Sequence, residues 1–182
     1  MKLNKIMMAA VLAFGVTSVA HAAVKDQGHG TVTFTGSIID APCSIAPESV
    51  DQTVNLGQVS NVALKDGGKS MPKNFQIKLE NCEVISTAPG KNNGVSLTFT
   101  GMENAGADGL LGITGTAKGA GIAITDGSGD AIKLGQATKV QELQNGNNTL
   151  SFAAYLQGSK ASGAVIVPGE FQSVADFTLA YQ

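Results

Sequence analysis

Arginine and tryptophan are absent from this 182-residue chain, and cysteine, histidine and tyrosine occur twice each. Arginine supplies the bidentate grip on phosphates and guanine edges. No lysine cluster replaces it, so nucleic acid and anionic membrane surfaces are not expected as partners. Without tryptophan the Cys-Trp-Cys core of antibody domains is not available. A nucleophile activated in Ser-His-Asp or Cys-His fashion needs a supporting histidine. His21 falls in the leader described below, and His29 sits in a glycine-rich stretch without fixed support, so no catalytic residues are expected. Cys-x-x-Cys spacing is missing, which argues against a redox or metal centre. No glycine-rich element follows a strand and opens a helix as a phosphate cradle must, so no cofactor is expected. The apolar run Ile6 to Val16 is far short of the ~20 residues a bilayer crossing needs, so membrane insertion is not expected.

What is present first is an export signal. Lys2 and Lys5 form its charged start, Ile6 to Val16 its apolar centre, and Ala20-His21-Ala22 the small-x-small cleavage site. Residues 1–22 are therefore read as a signal peptide and Ala23 as the mature start. The remaining 160 residues suit one domain with a single core. Two of the 12 lysines leave with the signal, so 10 face 14 carboxylates in the mature chain, a net charge of −4. Cys43 and Cys82 then lie in an exported chain, where an oxidising compartment predicts a disulfide.

Alternation dominates the rest. Phe75, Ile77 and Leu79 share one face against Gln76, Lys78 and Glu80; Val95, Leu97 and Phe99 oppose Ser96, Thr98 and Thr100. Ile122 and Ile124, then Leu150, Phe152, Ala154 and Leu156, repeat the pattern. Turn signals separate these runs: Asp66-Gly67-Gly68, Gly90 to Gly94, Asp108-Gly109, Asp126-Gly127 and Asn145-Gly146-Asn147. Short strands at this spacing predict an all-β sandwich. Short helical interruptions are expected around Ser60 to Leu64 and Lys139 to Leu143. Asp126-Gly127-Ser128-Gly129-Asp130 lacks the later glutamate of a calcium loop and reads as a surface turn. Asn147-Asn148-Thr149, a formal glycosylation sequon, reads as part of a hairpin turn.

The two ends of the mature chain are unusual. Gly28 to Ile45 reads as one extended strand leading into Cys43, with Gly28, Gly30, Val32 and Phe34 on one face and His29, Thr31, Thr33 and Thr35 on the other. A face that gives up side chains at regular intervals is weak in its own sheet and suits close approach to another backbone. At the other end Gly169 precedes a strand whose Phe171, Ala175, Phe177, Leu179 and Tyr181 share a face almost to the last residue. Such an unblunted edge invites pairing with another chain.

The segment Gly28 to Ile45, the Val54-Asn55-Leu56-Gly57-Gln58-Val59 strand, the Leu79-Glu80-Asn81-Cys82 end and the Gly169 to Gln182 tail together resemble chaperone–usher fimbrial pilins. The likeness is to major rod subunits of the P-pilus and mannose-resistant Proteus-like kind, and it spans the whole mature chain. The resemblance implies an incomplete immunoglobulin-like sandwich lacking its C-terminal strand. It implies a hydrophobic groove beside the last strand, with Gly169, Phe171, Phe177, Leu179 and Tyr181 at the chaperone-binding and acceptor edge. A periplasmic chaperone would fill the groove first, and after delivery to an outer-membrane usher the N-terminal extension of an identical or related subunit would replace it. On this reading residues 23–35 are the donor extension and 36–182 the pilin domain. Residues Gly28 to Phe34 would span ~23 Å at 3.3 Å per residue, an ordinary strand length. Val32 and Phe34 would be its anchors, each contributing roughly 1.5–3 kcal/mol of apolar burial, while Gly28 and Gly30 fit where the groove is shallow. The expected product is a cell-surface adhesive fibre. A minor tip or adaptor subunit, or a free-standing carbohydrate-binding sandwich, would look similar at the level of sequence.

Overall fold

The computed structural model describes residues 27–84, 94–104, 109–161 and 163–182, in two units, Met1–Ile38 and Ile39–Gln182. The expected signal peptide, the start of the expected donor extension and most of the Gly90 to Gly94 turn lie outside the described residues. In the first unit, residues 27–38 form neither helix nor strand. Val32 is 74% exposed and Phe34 89%. The strand expected from Gly28 into Cys43 is thus corrected: ladder pairing begins only at Ser44. Alternation prepares a segment for a sheet, but a strand exists only where a partner backbone supplies its hydrogen bonds.

The second unit is built from antiparallel strands. A sheet of five contains β1 (Ser44–Ile45), β2 (Lys73–Cys82), β8 (Gly146–Gly158), β5 (Ala120–Asp126) and β6 (Ala131–Ile132), in that spatial order. A sheet of three places β3 (Gly94–Gly101) between β10 (Ala175–Tyr181) and β7 (Gln141–Glu142). A short ribbon pairs β4 (Thr114–Gly115) with β9 (Phe171–Gln172). Ile77 and Leu79 of β2, Leu150 and Phe152 of β8 and Ile124 of β5 meet Val95, Leu97 and Phe99 of β3 in the principal core. Period-2 patterning therefore put the right residues inside on β2 and β8, whereas β3 also buries Ser96 and β5 also buries Ala123 and Thr125. Phe152 stacks with Phe75 at 5.6 Å between centroids and meets Phe99 edge-on at 5.2 Å, both favourable ring arrangements.

Local deviations have local causes. A single helical turn, α1 (Pro47–Val50), starts at proline, whose missing N–H costs nothing there. The helical segment expected near Ser60 is 3-10 helical within Asn61–Gly67, broken by a kink at Lys65 and Asp66, and is capped where Ser60 Oγ accepts the Val62 amide at 3.3 Å. The helix expected at Lys139 to Leu143 is corrected: this stretch joins the edge of β3, with Gln141 opposite Val95, and Thr138 Oγ1 accepts the Leu97 amide at 2.9 Å. The open edge of β3 gives Gln141 and Glu142 a partner backbone, which an isolated helical turn lacks. Val54 to Val59 is likewise corrected from strand to an extended segment outside any sheet. Asn147-Asn148-Thr149 is corrected from hairpin turn to strand: it lies within β8, which is entered at Gly146 on the crossover from β7 in the other sheet. The Asp126–Asp130 turn closes on itself, Asp126 Oδ1 accepting the amides of Ser128 and Asp130 at 2.9 Å each.

Candidate functional site: an open groove beside the last strand

β10 is the edge of its sheet, paired with β3 along one side only, from Ala175 opposite Gly101 to Tyr181 opposite Val95. Its inward side chains Ala175, Phe177, Leu179 and Tyr181 pack against the principal core yet remain half-buried. Across from it runs the segment 52–59, whose backbone makes no backbone–backbone hydrogen bond with any described residue. That segment is nevertheless pinned from below. Leu56 is buried with Leu64, Ala120, Ala154 and Leu156, and Val54 and Val59 pack against the same cluster.

A groove of about 1250 Å³ lies along these elements. It is lined by Phe75, Ile77, Phe99, Ile122, Ile124 and Leu156 of the strands, by residues 50–59, and by residues 166–177. Small-molecule pockets run to roughly 300–1,000 Å³ and close around their ligand. This one exceeds that range and is flanked by unpaired backbone. Its charged residues are Asp51, Lys118, Glu170 and Asp176, and neither histidine nor cysteine lines it. The arrangement suits apolar side chains carried on an extended backbone better than it suits bond-making chemistry.

The residues singled out from sequence distribute as follows. Gly169, Phe171 and Phe177 line the groove, but the single tail strand expected from Phe171 to Tyr181 is corrected to two: Phe171 lies on β9, paired with β4, and only Phe177, Leu179 and Tyr181 share β10, the last two beyond the lining. Gly169 has a steric task. A β-carbon there would overlap Thr116 Oγ1 and the Ala117 nitrogen. That close approach lets Glu170 O accept the Thr116 and Ala117 amides at 3.0 and 3.1 Å, while Thr116 Oγ1 accepts the Glu170 amide at 3.0 Å. The Tyr181 hydroxyl is buried without a hydrogen-bond partner among the described residues. Burial raises its pKa above the ordinary 10.0.

Cys43 and Cys82 are disulfide-bonded, with Cα atoms 4.1 Å apart and a sequence separation of 39. A bulge in β2 makes this pairing geometrically available. Leu79 and Cys82 differ in parity yet both face inward, because the register shifts between them and Asn81 takes a left-handed φ of 52°. Gly28, Gly30, Val32 and Phe34 belong to the other unit, where their segment has no strand. Sequence reasoning missed the groove's floor and its second wall. Phe75 and Ile122 were legible as inward residues, but nothing local marks which inward residues are left partly uncovered. The apolar triplet Ile166-Val167-Pro168 lines the groove too, and its hydrophobicity outside any strand was the available signal.

The Fimbrial protein family model matches residues 32–182. The Fimbria A protein of Serratia marcescens is 65% identical over 182 residues, covering 100% of both chains. The Major MR/P fimbria protein of Proteus mirabilis is 54% identical over 184 residues, again covering 100% of both. A solved chaperone–usher pilus structure, one concerned with the molecular basis of rod uncoiling, matches at a TM-score of 0.78 and 35% identity, covering 88% of this chain and 100% of its own. A sandwich with one strand's worth of core uncovered, matched along its length by fimbrial subunits, leaves one assignment: the chain belongs to the fimbrial protein family, as a major structural pilin of the chaperone–usher kind.

Proposed function

We propose that the groove is an acceptor for a strand donated by another subunit, and that residues 23–35 are the donor which this subunit offers to its neighbour. Residues 36–182 then form the pilin domain. The observation that carries this reading is the pair of backbones left without a sheet partner, the outer side of β10 and residues 52–59, which line one groove with apolar side chains between them. A single inserted strand would pair with both and cover Phe75, Ile122 and Phe177 at once. Val32 and Phe34, exposed in the chain alone, are the apolar groups such a strand would bring. Gly169, Phe171, Phe177, Leu179 and Tyr181 form the edge that receives it.

A periplasmic chaperone covers this edge before assembly, an outer-membrane usher takes the subunit onward, and identical or related subunits replace the chaperone strand by strand. The product is a surface fimbria supporting adhesion. The subunit works by strand exchange and catalyses no reaction. Fusing a copy of Val24 to Gly36 after Gln182 through a flexible linker tests the reading, because the donor can then fill the groove of its own domain. The fused monomer should unfold at much higher denaturant than the unfused one. Equal midpoints would mean that the groove takes no strand and the domain is already complete.

A further inference from the structure

The groove wall at 52–59 contains a built irregularity. Val54 and Leu56 face the floor two residues apart, as strand alternation requires, but the next residue packed there is Val59, while Gln58 is exposed. Strict alternation would have put Gln58 inward. One extra residue is therefore absorbed between Leu56 and Val59, and it is absorbed at Gly57, whose φ of 73° lies in the left-handed region. The Gly57 amide donates to Asn55 Oδ1 at 2.8 Å. This turn fixes the kink and satisfies the donor that the kink takes out of line.

Resting on the acceptor reading above, we infer that Asn55 is a positioning residue for strand insertion, holding the second wall in the bulged form an incoming strand must meet. The incoming backbone finds two short runs of wall, one ending at Asn55 and one resuming at Gln58, against the continuous edge of β10. The two runs differ in register by one residue. Without the Asn55 side chain, the wall must find its bulge at the moment of pairing, and that ordering opposes association. Asn55 is exposed and, among the described residues, its side chain accepts only the local Gly57 amide, so its loss leaves the sandwich core intact. Asn55→Asp keeps an oxygen in the same place, whereas Gly57→Ala forces an alanine into a backbone conformation that disfavours it.

The test uses the mature chain, residues 23–182, and a fluorescent synthetic peptide of Val24 to Gly36, with association followed by anisotropy. Asn55→Ala should slow association about fivefold, the effect of losing one ordinary hydrogen bond. The denaturant midpoint of the peptide-free chain should not move. Asn55→Asp should restore the rate, and Gly57→Ala should be slow. An Asn55→Ala variant that associates at the unmodified rate overturns the inference, as does equal slowing by Ala and Asp, or slowing that tracks a lower midpoint of the peptide-free chain. Failure of the peptide to bind the unmodified chain instead overturns the acceptor reading, so the two failures are told apart.

Discussion

Phe177 on β10 sits directly across the ladder from Phe99 on β3, their rings 6.4 Å apart between centroids, yet Phe99 is buried and Phe177 only half so. The difference comes from what lies on the far side of each strand. β3 is flanked by β10 and β7, while β10 has a neighbour on one side alone. Phe177→Ala should therefore cost about 1–2 kcal/mol in the open subunit and about 3–5 kcal/mol in the fusion that carries its own donor, where the ring is fully covered. Urea unfolding of the four proteins checks this, and equal costs in open and closed forms would contradict a groove that fills.

The Cys43–Cys82 bond should show as a mass lower by two hydrogen atoms in the unreduced mature chain. Cys82→Ser releases a loop of 39 residues, for which chain entropy gives about 4 kcal/mol of lost stability. The expected phenotype is periplasmic proteolysis of the subunit, with lower fibre yield and normal fibre form in whatever survives. Alkylatable thiols in assembled fibres would contradict the bond.

Gly169→Ala should disturb the groove without touching its apolar floor. The added methyl meets the Thr116 hydroxyl and the Ala117 nitrogen, so the β4–β9 ribbon must part or shift. Thr116→Ala on its own loses the bond from the Glu170 amide at about 1 kcal/mol. Combined with Gly169→Ala it should partly relieve the clash, so the double variant should be less destabilised than the two single costs added together.

Tyr181 gives a pH dependence. Its hydroxyl is buried and its pKa raised, so the folded chain holds this proton to higher pH than the unfolded chain does. Stability from this group is fully present below the ordinary value of 10.0 and falls as pH rises from there through the folded value. Tyr181→Phe should flatten that alkaline loss. It also removes a buried hydroxyl without a described partner, and should leave neutral-pH stability unchanged or raise it by about 1 kcal/mol. Unfolding midpoints on both sides of the transition check both signs.

Removing Ala23 to Thr35 should leave capture by the chaperone intact and abolish fibres, because the acceptor remains and the donor is gone. Replacing Leu179 with Asp should abolish capture itself. Co-purification with the chaperone and fibre counts by electron microscopy score the pair. Fibres built from the donor-deleted subunit alone would contradict strand exchange.

The long strands were legible because each carries its own alternation. Phe75, Ile77 and Leu79 on β2, and Leu150, Phe152, Ala154 and Leu156 on β8, needed no information from elsewhere to be placed inward. The segments misread were those whose state depends on a distant backbone. Lys139 to Leu143 has too few residues to declare a period, and became strand because β3 had an open edge. Val54 to Val59 has the composition of a strand, but only the three-dimensional arrangement leaves its backbone without a mate. The Leu79–Cys82 bulge was hidden for a related reason: a residue in the left-handed region at Asn81 is permitted by asparagine but not announced by it. The end residues Phe177, Leu179 and Tyr181 were found because an apolar face running to the last residues is visible without any partner.

The place of the disulfide has a mechanical consequence. Cys43 lies just after the described N-terminal stretch and is joined to Cys82 at the end of β2. A pulling force arriving along the chain from its N-terminal side meets that covalent bond before it can peel β1 or draw out the 3-10 helix. The load passes directly into the five-stranded sheet through β2. The bypassed stretch between the two cysteines spans 39 positions, about 130 Å of contour at full extension. Under tension that length stays inside the domain, and with it residues 52–59, so the second wall of the groove is shielded from stretching forces that reach the subunit from its N-terminal side.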